Sequence, residues 1–292
     1  MKDANKTALR ECRFLRESCF PLLYRAFIEA FSDYVFPFAL TEKQFQNHIN
    51  LNAVDLRRTI GCLEGGRIIG FSLNGFGEWD TKPTVYDAGT GVIPAYRRQG
   101  ISEKMFDHMM PVFKDQGIKQ FLLEVITTNT PAIRLYEKLG FRITRELALL
   151  QCDGRIGDRA EPAAIEIREI RDPDWERLTR FWVGTTSWQN SVDAMKRSWP
   201  VKSMMGAFAE DECIGYIVFS TGFGRVAQLA VKSEYQHQGV GTMLLKVMQD
   251  LTNDGYSLQV INIDKLVPGG MDFFTRHGFY ERLSQYEMLL EM

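Results

Sequence analysis

Thr90-Gly91-Val92-Ile93-Pro94-Ala95-Tyr96-Arg97-Arg98-Gln99-Gly100-Ile101-Ser102 is the stretch on which the reading of this chain turns. It ends a strand, passes through a basic, glycine-bearing turn and opens a helix. Beyond the turn, Met105, Phe106, Met109, Val112 and Phe113 recur at helical spacing and give that helix one apolar face. A helix N-terminus leaves its first backbone N–H groups unpartnered, and the aligned peptide dipoles make that end partly positive. Gly100 lets the backbone approach an anion closely, and Arg97 and Arg98 add full charges. The stretch reads as a socket for a phosphate-bearing ligand.

A second version follows at Leu229-Ala230-Val231-Lys232-Ser233-Glu234-Tyr235-Gln236-His237-Gln238-Gly239-Val240-Gly241. It too lies between a β-rich run and an apolar helical stripe, here Leu244, Leu245, Met248 and Leu251. Gly100 and Gly239 are 139 residues apart, and Gly140 of Leu-Gly-Phe and Gly278 of His-Gly-Phe are 138 apart. Two landmarks that keep their offset to within one residue argue for a domain-sized internal duplication.

The chain has 292 residues, enough for two domains that each bury a core, and its 45% hydrophobic and 25% charged content is that of a globular protein. A formal net charge of −2 gives no global pull toward nucleic acid or anionic membranes. Five cysteines with no CxxC pair favour a reducing compartment over a disulfide framework. Residues Met1 to Glu11 lack the apolar core of a signal peptide, and Arg25, Glu29 and Asp33 break the most hydrophobic early stretch. The expectation is a cytoplasmic protein with neither nucleic-acid nor membrane partners. The four histidines are scattered and predict no metal site.

The remaining pattern is α/β, made twice. Cys12 to Leu15 predicts a short strand, and Pro21 starts a helix with Leu23, Ala26, Phe27, Ala30 and Phe31 on one face. Arg25, Glu29 and Asp33 lie four apart on the other side, where Arg25 and Glu29 can pair. Thr41 with Gln44 predicts a capping box. Strands at 59–63 and 67–74 turn about Glu64-Gly65-Gly66, further strands run over 84–93 and 121–127, a helix opens at Thr130-Pro131, and 141–151 closes the first domain. The linker is 153–164, which holds Pro162. In the second half, strands are expected at 165–170, 208–210, 214–220, 225–231 and 257–263, with helices from Asp172-Pro173-Asp174 through Trp182 and over 271–277. The expected domains are thus 1–152 and 165–292.

Arg97-Arg98-Gln99-Gly100-Ile101-Ser102 and Gln236-His237-Gln238-Gly239-Val240-Gly241 each fit R/Q-x-x-G-x-G/A, apart from Ser102 at the last position. Each half therefore resembles a domain of the GCN5-related N-acetyltransferase (GNAT) family, with a mixed, mostly antiparallel sheet flanked by helices. Asn129, Ala132 and Leu135 through Phe141 resemble that family's second conserved block. The resemblance implies that acetyl-CoA is the cosubstrate. Its pyrophosphate would lie on Arg97, Arg98, Gln99, Gly100, Ile101 and Ser102, its pantetheine arm along Gly91 and Val92, with Asn129 nearby. In the second half the matching positions are Ala230, Val231, Gln236, His237, Gln238, Gly239, Val240 and Gly241.

The resemblance further implies acetyl transfer to a primary amine by direct attack in a ternary complex. A backbone N–H on the strand would hold the oxyanion, and Tyr136 would protonate the departing thiolate. Glu124 and then Asp87 are the carboxylates available as base. The same residues have structural readings: Tyr136 as a core tyrosine, Glu124 as a loop anchor, Arg97 and Arg98 as surface charge. The second half carries Phe274 where the first has Tyr136, so it would bind CoA without turnover, use another acid such as Tyr280, or serve as scaffold. A non-catalytic CoA sensor, or catalysis in the C-terminal half, is the alternative. The aromatic group Phe27, Phe31, Tyr34, Phe36, Phe38 and Phe45 reads mainly as core, with some members lining an acceptor pocket. The acceptor, a small molecule or a peptide amine, is not encoded in any motif.

Overall fold

The computed structural model describes residues 10–34, 40–157, 164–199, 202–253 and 255–292. Phe36, Phe38 and half of the expected linker, Pro162 included, lie outside these residues. The chain divides into two compact units. One takes the chain up to Glu124 with Pro131–Arg142 and Met288–Met292; the other takes Val125–Thr130 and Ile143–Glu287.

In the first unit, β1 (Glu11–Phe14), β2 (Ile60–Glu64), β3 (Arg67–Trp79) and β4 (Lys82–Val92) form an antiparallel run, and β5 (Gln120–Ile126) adds parallel to β4. Gly65 and Gly66 both have positive φ, as the two-residue turn between β2 and β3 requires. α1 (Phe20–Ala30) buries Leu23, Ala26, Phe27 and Ala30, and the Phe27 ring packs 4.8 Å from Phe45 and 5.8 Å from Phe71. Its polar side differs from the expectation. Glu29 bonds Arg67 and Asp33 bonds Arg97, tertiary partners that lie 38 and 64 residues away.

α2 (Glu42–Leu51) opens with the expected capping box, in which the Gln44 N–H donates to Thr41 Oγ1 and the Thr41 N–H donates to Gln44 Oε1. The crossover from β4 to β5 is α3 (Ile101–Asp115), which lies over β1, β2 and β3 and buries Ile101, Met105, Phe106, Met109 and Phe113. α4 (Thr130–Lys138) follows β5 and stops at Gly140, whose φ of 96° is one that glycine adopts at little cost.

The second unit contains β6 (Arg142–Cys152) from Ile143 on, β7 (Ile165–Glu169), α5 (Trp175–Leu178), α6 (Val192–Ser198), β8 (Ser203–Ala209), β9 (Glu212–Ser220), β10 (Arg225–Val231), α7 (Val240–Leu251), β11 (Leu258–Asp264), α8 (Gly270–Arg276) and β12 (Tyr280–Glu291) up to Glu287. Its strand order is β7-β8-β9-β10-β11-β6-β12, with β10 parallel to β11. β6, expected to close the first domain, pairs with β11 instead and sends Ala148, Leu150 and Cys152 into the second unit's core. The helix expected from Asp174 through Trp182 ends at Leu178 and continues as a 3-10 turn to Phe181. Trp182 is extended and donates its indole N–H to the Tyr216 hydroxyl. On α7, Leu251 faces solvent rather than the core, while Thr242 and Met243 are buried.

Candidate active site

The two glycine-bearing turns have the same backbone. Arg98 and His237 both have φ of 61°, and Gly100 and Gly239, the N-caps of α3 and α7, have φ of 72° and 92°. A 3-10 turn precedes each, at Pro94–Tyr96 and Ser233–Tyr235. Side chains brace the loops in parallel ways. Arg97 Nε donates to Val92 O at 3.1 Å, and Gln236 Nε2 donates to Val231 O at 3.0 Å. Gln99 Nε2 reaches Ala95 O at 3.3 Å, and Gln238 Nε2 reaches Glu234 O at 2.7 Å. The first motif position thus needs a side chain that donates to a carbonyl five residues back, which both Arg and Gln can do. Left-handed residues on either side of one residue, Gln99 or Gln238, leading into a helix N-terminus, form a concavity of N–H groups suited to an anion.

Close packing fixes each socket on its sheet. A Cβ at Gly70 would meet Ile101 Cγ2 at 2.7 Å, and a Cβ at Gly215 would meet Val240 Cγ1 at 3.2 Å. These glycines let the first residue of each socket helix sit directly on the strand.

Charge distinguishes the two. Arg97 is occupied: its guanidinium holds Asp33 in a two-point pair at 2.7 Å and donates to Ala30 O, and it keeps the Asp33 carboxyl below its usual range. Arg98, at the left-handed position of the turn, is exposed. Arg10, which the motif gave no reason to expect, donates to Gln99 Oε1 at 2.6 Å and lies over the Tyr96 ring. The second turn has His237 and Gln236 at these places and a lysine, Lys232, that is paired with Glu212 and Glu234.

Beside each socket the sheet opens. β4 pairs with β5 only from Thr84–Gln120 to Asp87–Leu123, and β10 pairs with β11 only at Arg225–Gln259 and Val226–Val260. The Ile93 N–H donates to Ile69 O, which makes Ile93–Ile69 and Gly91–Phe71 the hydrogen-bonded pairs and Val92–Gly70 the pair between them. The Val92 N–H and C=O therefore point away from β3, to the side where β4 has left β5. By the same alternation, the Lys232 N–H bond to Ile214 O turns Val231 outward. Gly91 spends its backbone groups on Phe71. What it supplies is space, since a Cβ there would meet Phe71 Cζ at 2.8 Å and Ala30 Cβ at 3.0 Å.

Two carboxylates mark the point of separation. Asp87 is buried; its Oδ1 accepts from the Gly89 N–H and its Oδ2 from the Thr90 hydroxyl at 2.8 Å and the Tyr136 hydroxyl at 3.3 Å. Burial pushes the Asp87 carboxyl up to about 6, the three hydrogen bonds pulling against it. Tyr136, held among the Phe106 and Phe141 rings, is pushed well above 10 by burial and then by the Asp87 charge. Glu124 accepts from the Tyr86 hydroxyl at 2.6 Å. Tyr86 and Asp87 are consecutive on β4 and face opposite sides, so the two carboxylates meet the strand junction from opposite faces. On the α2 side, His48 Nε2 lies 2.7 Å from Ala88 O, tying that helix to the strand next to Asp87.

Asn129 sits in the loop between β5 and α4, its N–H on Ile126 O, among the residues that group with the second unit. Phe274 is buried against Phe273 and Phe279 on α8. Tyr280 is exposed at the start of β12 and donates to Asp153 Oδ2 at 2.8 Å. The tertiary roles of Asp33, Arg10, Tyr86 and His48 escaped the sequence reading, because their partners lie between 38 and 89 residues away. No helix among the described residues is long and apolar enough to cross a membrane.

Known proteins match both halves. The profile of the acetyltransferase (GNAT) family matches residues 17–141, and that of an acetyltransferase (GNAT) domain matches residues 202–282. A ribosomal-protein-alanine N-acetyltransferase of Escherichia coli is 32% identical over 91 residues, 29% of this chain and 62% of its own. A thialysine N-epsilon-acetyltransferase of Mus musculus is 35% identical over 82 residues, 27% of this chain and 48% of its own. The chain thus spans about half to three-fifths of these relatives' length. Among solved structures, a tandem GNAT protein from the clavulanic acid biosynthesis pathway aligns over 96% of this chain and 98% of its own, with TM-score 0.70 and 14% identity. That likeness is one of fold.

Proposed function

As the chain belongs to the GCN5-related N-acetyltransferase family through both of its units, we propose that it transfers an acetyl group from acetyl-CoA to a primary amine, and that the N-terminal half does the chemistry. The observation that carries this reading is the Tyr136 hydroxyl held on Asp87 where β4 parts from β5, beside a helix N-terminus built for an anion.

The pyrophosphate of acetyl-CoA would sit on the N–H groups of the Arg98–Ser102 turn, with Arg98 adding charge. The pantetheine arm would then run along the open edge of β4, where the outward Val92 N–H can donate to the thioester oxygen as it becomes an oxyanion. Direct attack by the amine nitrogen gives a tetrahedral intermediate, and its collapse expels the thiolate. Tyr136 is protonated at neutral pH because burial and Asp87 both oppose its ionisation, and so it has a proton to give. The burial that raises the tyrosine also raises a thiolate leaving into the same place, which keeps the transfer feasible. Glu124, on the other face, would take the proton that the amine must lose. The attacking nitrogen and the leaving sulfur are both substituents of one tetrahedral carbon, and an acid and a base that reach the strand junction from different faces can each serve one of them.

Relatives named for N-acetylation of a protein's alanine and of a thialysine side chain support an amine acceptor, peptide or small molecule. The second half has the same turn and the same outward valine but Phe274 on α8, and Tyr280 is committed to Asp153. It suits CoA binding without an acid of its own. A CoA-binding protein with no turnover is the second reading, favoured by Phe274. A screen of thiol release from acetyl-CoA with N-terminal-alanine peptides, lysine analogues and small diamines separates the two readings. Turnover that Tyr136→Phe suppresses supports the first; binding without turnover on any amine supports the second.

A further inference from the structure

Cys12 and Cys62 lie directly opposite each other on β1 and β2. The Leu15 N–H donates to Thr59 O, so Leu15–Thr59, Arg13–Gly61 and Glu11–Leu63 are the hydrogen-bonded pairs, and Cys12–Cys62 falls between them. Such a pair has its Cα atoms about 4.5 Å apart. That is inside the roughly 4.4–6.8 Å range a disulfide needs, near its short end. Both thiols are free, Cys62 is buried and Cys12 is half-buried.

The pair lies beneath the first socket. Cys62 is opposite Gly70, whose open face is covered by Ile101, and residues directly opposite share a face. The sulfurs therefore lie under the first turns of α3. Two residues before Cys12, Arg10 bonds both Glu64 and the socket residue Gln99. β1 is the edge strand and carries this arm.

We propose that Cys12 and Cys62 are a reversible dithiol–disulfide pair, oxidised by small-molecule disulfides, and that the crosslink fastens β1 and, through Arg10, the socket turn. The half-buried Cys12 thiolate attacks one sulfur of the small disulfide and expels one equivalent of thiol. The Cys62 sulfur then attacks Cys12 and expels the second. Two protons leave the protein with the two thiols, and the small disulfide takes up the two electrons. A bond at the short end of the range is readily reduced again. Burial and the neighbouring Cys62 push the Cys12 thiol up to about 12, so the reaction is slow at neutral pH and accelerates as pH rises.

The test uses the full, reduced chain incubated with glutathione disulfide at increasing pH. The expected product has lost the mass of two hydrogens, yields a Cys12–Cys62 crosslinked peptide and reverts with dithiothreitol. Amide exchange in β1 and in residues 96–100 should slow by about tenfold in the crosslinked form. Neither Cys12→Ser nor Cys62→Ser should give the crosslink. A mixed disulfide that stops at Cys12, a crosslink through Cys19, no reaction at any pH, or a crosslink that leaves exchange at 96–100 unchanged would each overturn the proposal.

Discussion

The Tyr136 hydroxyl, on the helix after β5, donates to a carboxyl oxygen of Asp87 on β4 across 3.3 Å, although the two residues are 49 apart in the chain. In the proposed mechanism the contact joins the group that gives up a proton to a buried carboxylate that discourages it from ionising early. Tyr136→Phe removes the proton and little volume. We expect kcat to fall by about 10²–10⁴-fold, with the acetyl-CoA Kd nearly unchanged. Stopped-flow thiol release alongside equilibrium binding reads both quantities. An equal loss in Kd would make Tyr136 a packing residue.

Asp87 links the site to pH. Its carboxyl titrates at about 6 in the folded chain, against 3.8 as the ordinary value, so the folded state holds the proton more tightly between those pH values. Stability should therefore be greatest below the lower value, fall as pH rises from about 4 to about 6, and level off above. The upper bound of that loss is about 3 kcal/mol. Asp87→Asn should flatten this part of the profile and raise stability at pH 7, while slowing acetyl transfer. Urea melts at successive pH values measure it; a profile still sloping in the variant would assign the titration to another group.

Arg97 and Arg98 should separate by salt. In the proposed binding mode Arg98 faces the ligand, and Arg98→Ala should weaken acetyl-CoA binding most at low ionic strength. Arg97 is a brace between Asp33, Ala30 O and Val92 O. Arg97→Gln, which copies Gln236, should keep the bond to Val92 O and most of the binding. Arg97→Ala should lose roughly 1 kcal/mol of loop stability, and its binding defect should not grow as salt is lowered. Titrations at two salt concentrations distinguish the three variants.

Gly91→Ala is a steric test. The added methyl would press on Phe71 Cζ at 2.8 Å and Ala30 Cβ at 3.0 Å, between β4 and α1. We expect about 1–3 kcal/mol of destabilisation. Thermal melts measure this; a neutral outcome would mean that α1 gives way freely.

Much of this was legible locally. The paired turns, the Thr41–Gln44 capping box, the Gly65-Gly66 hairpin and the strand over Arg225–Val231 follow from short-range patterns in which a residue's own neighbours dictate backbone geometry. What stayed hidden depends on distant partners. The strand-like residues of 141–151 announce a strand but not which sheet takes it, since strand pairing is chosen by hydrogen bonds to β11 more than 100 residues on. Asp33 reads as surface charge until the fold carries it to Arg97. Tyr136 was recognisable from its block, but its contact with Asp87 exists only once the sheet and α4 are packed.

The central claim is that the turn at Arg97–Ser102 holds acetyl-CoA, and calorimetric titration of the purified chain with acetyl-CoA tests it most directly. Gly100→Val places a β-branched residue at a φ of 72°, which disrupts the turn without meeting any neighbour, and Gly239→Val places one at a φ of 92° in the second turn. Binding at a first site of the wild-type chain that Gly100→Val abolishes and Gly239→Val leaves intact is the predicted result. No binding to the wild type, or binding indifferent to Gly100→Val, would contradict it.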